Sequence, residues 1–133
     1  MVRRFDDDLE FLVKASVSVI PSLKEMRVFG SYESEKWKED SSDVDVMALL
    51  SDENFSYRKN RRNFARESEQ RENLRKDILK GLSQEFIKRL DFKIVTLSDM
   101  DMLVTLDEGR GYVGKNMYKG RLLYSSSWNV DNR

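Results

Sequence analysis

The 133-residue chain contains no cysteine and no histidine. Without cysteine there is no disulfide, no thiolate metal site and no cysteine nucleophile. Without histidine there is no imidazole general base, no zinc-protease pair and no Ser-His-Asp triad. Any chemistry therefore rests on carboxylates, hydroxyls, lysines, arginines and bound ions. Long apolar runs are also missing. No stretch approaches the roughly 20 residues of a membrane span, and the opening MVRRFDDDLEF has no signal-peptide core. The expectation is a soluble, cytoplasmic protein with no membrane partner, a single domain over residues 1–133 that is long enough to bury its own core.

Charge of one sign is lacking too: 24 basic side chains face 24 acidic ones. A zero sum argues against a nucleic-acid coat protein, but the charges are unevenly placed and local fields matter more than the total. The segment NFSYRKNRRNFAR, residues 54–66, holds five basic residues, three aromatics and no acid. It reads either as a solvated face or as a contact for triphosphate, RNA or an acidic partner.

Periodicity predicts the elements. Leu9, Leu12, Val13, Val17 and Ile20 recur at helical spacing, so residues 6–20 read as an amphipathic helix with Asp6 as N-cap and the lone Pro21 as its stop. Met26–Phe29 reads as a short strand ending at Gly30. Val44–Leu50 begins by alternating and becomes continuously apolar, as a strand covered on both faces does. Leu74, Ile78, Leu82, Phe86 and Leu90 fall four apart and predict one helix with a core face. Leu90–Thr96 alternates as a third strand. Ser98 and its neighbours Asp99 and Asp101 can cap a helical stretch through Tyr118, broken by Gly109, Gly111 and Gly114 into two short pieces. Gly120 stops it, and Arg121–Tyr124 reads as a late edge strand. The order gives an α/β (α+β) fold, a mixed sheet of about four strands with helices packed against it. Trp37 and Trp128 read as packing residues, and the methionines of segment 100–117 as core or interface.

One stretch carries chemistry. In VFGSYESEKWKEDSSDVDVMALL, Gly30-Ser31 follows an apolar run, and after eleven intervening residues Asp43-Val44-Asp45 opens another. Alternate strand residues share a face about 6.6 Å apart, so Asp43 and Asp45 point one way while Val44 and Val46 enter the core. Carboxylates so placed suit Mg²⁺, a hard ion that takes oxygen ligands and keeps positions for substrate phosphate. A third acid, Asp91, stands at the start of the next apolar strand. If the two strands are neighbours, about 4.8 Å apart, Asp91 reaches the same face. Three crowded carboxylates repel one another and predict a cation. Gly30 allows a close backbone approach, and Ser31 offers a hydroxyl to phosphate oxygens. The conservative alternative is a surface loop between two strands, with Asp at strand edges. Lys93 shares the face of Asp91 and reads either as its salt-bridge partner or as a phosphate contact.

These residues resemble the DNA polymerase β nucleotidyltransferase superfamily, and by size its minimal nucleotidyltransferases. The resemblance rests on Val28-Phe29-Gly30-Ser31, on Ser42-Asp43-Val44-Asp45-Val46, and on the later strand acid Asp91. It covers residues 26–50 closely and 90–125 more loosely. It implies the nucleotidyltransferase fold and transfer of a nucleoside monophosphate from a nucleoside triphosphate (ATP among the candidates) to a protein or RNA hydroxyl or phosphate, with release of pyrophosphate. It further implies Asp43, Asp45 and Asp91 as catalytic metal ligands for two Mg²⁺ or Mn²⁺ ions, and Gly30, Ser31 and Ser42 at the nucleotide. Its implied partner is a helical HEPN-type protein, as in HEPN and minimal nucleotidyltransferase toxin–antitoxin pairs, or a second copy of this chain. The alternative function is a catalytically weak or inactive protein that keeps the fold and acts by docking. Its support is the acidic, glycine-free run Tyr32–Glu39, where minimal relatives often carry Arg and Gly.

Overall fold

The computed structural model describes residues 4–51, 64–99 and 119–128, with side chains throughout except over 64–68. Helix α1 spans Asp6–Val19. Its acidic first turn complements the positive end of the helix dipole. Leu9, Leu12 and Ser16 are buried, and the Ser16 hydroxyl satisfies itself on the Leu12 carbonyl at 2.8 Å. Asp6 is not the cap expected of it. Phe5 holds the N-cap position, and Asp6 is the first helical residue, its carboxylate accepting the Tyr32 hydroxyl at 2.6 Å.

Strand β1, Leu23–Phe29, starts three residues earlier than periodicity suggested, because Leu23 and Glu25 already pair with Leu50 and Leu49 across the sheet; Glu25 and Arg27 form an ion pair at 2.8 Å. Strand β2 is Val44–Leu50 and β3 is Leu90–Thr96, both as expected. Between them lie α2, Phe64–Leu79, and α3, Gln84–Arg89. The single helix read from the four-residue ladder is therefore two. Gly81 sits at the break, and Ser83 caps α3 by accepting the Phe86 N–H at 3.3 Å. The ladder survives the break: Ile78, Leu82 and Phe86 are all buried. Strand β4, Arg121–Ser125, closes the order as an edge strand.

The sheet is mixed and runs β3-β2-β1-β4. β1 pairs antiparallel with β2 and β4, while β2 and β3 run parallel, which requires the helical crossover that α2 and α3 supply. One face meets the helices. Val44, Val46, Ala48 and Leu50 of β2 join Leu9, Leu12, Ile78, Leu82 and Phe86 in one cluster. The opposite face carries a smaller buried group, Phe29, Met47, Leu49 and Val95. Arg71 and Arg75 of α2 donate to the Ile94 and Phe92 carbonyls at 2.7 and 3.0 Å, occupying the outer edge of β3. An edge so filled cannot recruit a foreign strand.

Past β3, residues 97–99 turn helical. Their cap is Thr96, whose hydroxyl accepts the Asp99 N–H at 3.2 Å while the Asp99 carboxylate accepts the Thr96 N–H at 3.0 Å. This reciprocal box replaces the expected Ser98 cap. The helical pieces and methionines expected in residues 100–118, and most of the basic run 54–66, lie outside the described residues. Trp37 is buried as expected, whereas Trp128 is 48% exposed and meets Tyr124 edge-on. Among the described residues no helix is long and apolar enough to cross a membrane.

Candidate active site

Gly30 is the first fixed point. It follows β1 and opens a 3₁₀ turn, Gly30–Glu33, at φ +70°, a left-handed value that favours glycine. A second constraint acts on the same atom: a Cβ there would collide with the Asp45 carboxylate. The cause is register, since Phe29 pairs with Asp45 across β1 and β2. Gly30 thus meets two demands at once, the turn and the close approach of an acid.

The turn is pinned from beneath by Tyr32. Its ring is fully buried, 4.6 Å from that of Trp37 and steeply tilted to it, and its hydroxyl reaches Asp6. Burial first, and then the hydrogen bond to Asp6, hold the phenol well above its ordinary pKa, so it stays a neutral donor. The connection back to β2 is held by Arg89, at the end of α3. Its guanidinium donates to the carbonyls of Ser42, Glu39 and Lys38 at 2.8, 2.9 and 3.2 Å. It also lies 5.3 and 5.4 Å from the Phe5 and Trp37 ring centroids. One side chain thereby fixes the loop that delivers Asp43.

The parallel pairing of β2 with β3 sets Asp45 directly opposite Asp91. Asp45 is half-buried, while Asp43 and Asp91 are exposed. Burial pushes the Asp45 carboxyl above its ordinary value. Asp91 adds to the rise by its charge and a shared hydrogen bond, and Asp43 by its charge, against the opposing pull of Lys93. The Lys93 ammonium lies 2.7 Å from Asp91 and 5.9 Å from the Phe29 ring centroid. Beside them opens a cavity of about 620 Å³. Its walls include Gly30, Ser31, Asp45 and three lysines, Lys36, Lys93 and Lys119.

Four of the residues expected at the site meet here: Gly30, Ser31 and Asp45 line the cavity, and Asp91 stands across the register from Asp45. Asp43 immediately precedes β2. Ser42 does not line the cavity; its hydroxyl accepts the Lys38 N–H at 2.9 Å and its carbonyl is held by Arg89. The periodic reading passed over Lys36, Lys119, Tyr32 and Arg89, since none belongs to a local motif. A second groove of about 540 Å³ lies between α1 and β4; it shares Glu33 with the first cavity but is not lined by Asp45 or Asp91.

The donor chemistry fits a hard divalent cation: the acids offer oxygen ligands only, and two of them raise the pKa of a third. Among the described residues no three acids stand together as a ready metal-binding group; Asp91 holds the Lys93 ammonium while also sharing a hydrogen bond with Asp45.

A βαβ crossover sets Asp45 against Asp91, beside a Gly-Ser turn and a lysine-walled cavity. The nucleotidyltransferase-domain family model matches residues 9–97, well over half the chain, and the protein belongs to that family. Its size and its Gly-Ser and Asp-x-Asp arrangement fit the minimal type. The fold is shared with the crystal structure of a candidate nucleotidyltransferase from Sulfolobus solfataricus. The TM-score is 0.54 at 14% identity, over 90% of this chain and 80% of that one. No protein of curated function matches by sequence.

Proposed function

We propose that the protein is a metal-dependent enzyme that moves a nucleoside monophosphate from a nucleoside triphosphate to an acceptor, releasing pyrophosphate. The observation that carries this reading is the Asp45 carboxylate, packed against Gly30 on one side and paired in register with Asp91 on the other.

In this reading the triphosphate enters the 620 Å³ cavity. Gly30 lets the chain approach it without a side chain, and the Ser31 hydroxyl donates to a phosphate oxygen. Lys36, Lys93 and Lys119 offset its charge, which at close range is worth far more than in bulk water. Asp43, Asp45 and Asp91 would hold Mg²⁺ or Mn²⁺. Such ions, when bound, neutralise phosphate charge and acidify an acceptor oxygen. The acceptor oxygen attacks the α-phosphorus in line. The bond from that phosphorus to the β-bridging oxygen breaks, and pyrophosphate leaves with the electron pair. The acceptor proton passes to solvent water on the exposed Asp91 side. Positioning and charge neutralisation suffice for this chemistry, which suits a chain without histidine.

The acceptor in this reading is a protein, and the minimal type favours a helical HEPN-type partner in a toxin–antitoxin pair. The test is calorimetric titration of ATP, GTP, CTP and UTP, with Mg²⁺ and with EDTA, into wild type and the double variant Asp43→Asn/Asp45→Asn. Metal-dependent binding of at least one nucleotide, lost in the variant, is expected. Equal binding with and without metal, or retention in the variant, sinks the proposal.

A further inference from the structure

Lys93 stands where two demands on the site meet. It follows Asp91 by two residues on β3 and so shares its face, where its ammonium holds the Asp91 carboxylate at 2.7 Å. The same side chain forms part of the wall of the cavity that contains Gly30 and Ser31. A carboxylate oxygen that accepts from an ammonium is a poorer ligand for a hard cation, and the ammonium charge opposes a second cation beside it. Asp91 and Asp45 stand opposite in register, yet among the described residues they are not joined by a third acid in a ready metal-binding group.

The pair is easily broken. The two side chains are 35% and 50% exposed, and ion pairs at such sites are worth at most about 1 kcal/mol. A triphosphate carries several negative charges, and in the cavity it would present Lys93 with a stronger partner than one carboxylate. The lysine need not leave its strand to change partners, since its stem already borders both.

Resting on the nucleotidyltransferase reading, we infer that Lys93 is an exchangeable counter-ion that neutralises Asp91 in the empty site and transfers its ammonium to a phosphate oxygen when a nucleoside triphosphate enters, freeing Asp91 to ligate a divalent cation. Nucleotide and cation then bind cooperatively, and by linkage each tightens the other by the same factor. The empty protein holds cation weakly. Lys93 acts here as a positioning residue for Asp91 and as a phosphate contact in turn.

The test is Mn²⁺ affinity of the full chain, measured from the resonance signal of free Mn²⁺. It is run with and without non-hydrolysable analogues of the four nucleoside triphosphates, taken one at a time, on wild type, Lys93→Met and Lys93→Arg. In wild type a bound analogue is expected to tighten Mn²⁺ about fivefold. Lys93→Met is expected to bind Mn²⁺ alone up to about fivefold tighter than wild type, to bind the analogue more weakly, and to lose most of the coupling. Lys93→Arg, which keeps the charge, is expected to retain the coupling. A purely structural lysine would not raise metal affinity on removal. Lys93→Met with unchanged or weaker Mn²⁺ binding, while wild type still binds an analogue with metal, overturns the exchange and leaves the proposed function standing. Wild type that binds no analogue even with Mn²⁺ overturns both.

Discussion

At the scale of the residue, Gly30 is the most constrained position in the site. It has a positive φ, and a side chain would meet Asp45. Gly30→Ala is expected to lower stability by about 1–3 kcal/mol, the usual cost of a residue forced into a sparsely populated conformation. Nucleotide binding should fall further than stability does, since the Asp45 carboxylate must move. Chemical denaturation beside nucleotide titration checks both, and a variant as stable and as tight as wild type would show that neither constraint is real. The sequence announced this residue well. A glycine between an apolar run and a serine, with Asp-x-Asp behind it, is a local signal, and Gly30, Ser31 and Asp45 are brought together where it pointed. It announced Tyr32 and Lys36 poorly. A tyrosine beneath a turn and a lysine at a cavity mouth look like any other surface loop until the chain is folded.

At the scale of the element, the site depends on a loop held from outside it. Residues 38–42 carry little apolar content, and Arg89 of α3 grips three of their carbonyls. Arg89→Met should leave the core cluster intact but release this loop, at a cost of about 1–3 kcal/mol for charge-assisted bonds lost to a partly buried site. Hydrogen exchange should accelerate at 38–43, and nucleotide affinity should fall with it. Unchanged exchange in that segment would deny the clip. Such a contact joins positions 47–51 apart in sequence and has no periodic signature. The helix boundaries were harder to read for a different reason. An apolar ladder at four-residue spacing reports which residues face the core, and it does so across the break at Gly81 because α2 and α3 present their apolar faces to the same sheet. The ladder revealed the face but concealed the turn. Gly81 and Ser83, a breaker followed by a cap, were the available clue. At Thr96 the competing caps differ by two residues, and only the reciprocal bonds with Asp99 distinguish them.

At the scale of the whole molecule, the placement of Asp45 against Asp91 follows from topology. A parallel pair of strands needs a crossover, and α2 and α3 supply it on the face opposite the carboxylates. Alternation along Val44–Leu50 and Leu90–Thr96 sorted the side chains correctly into core-facing and site-facing sets, because a two-residue period admits no other division. That the two strands are neighbours, and in this register, was a condition placed on the sequence reading. It became a fact only with the sheet order β3-β2-β1-β4. The same order puts helices and the main core on one side and leaves the acids, Gly30 and Lys93 on the other.

The most direct test of the central claim is where a paramagnetic ion settles. Mn²⁺ and a nucleoside triphosphate analogue, titrated into isotope-labelled protein, should broaden the backbone amide signals of Gly30, Ser31, Asp45 and Asp91 first. The signals of α1 residues such as Leu12, across the sheet, should stay sharp. Selective loss at those four positions is the result this account expects. Broadening centred in the groove between α1 and β4, or spread evenly over the surface, would contradict it.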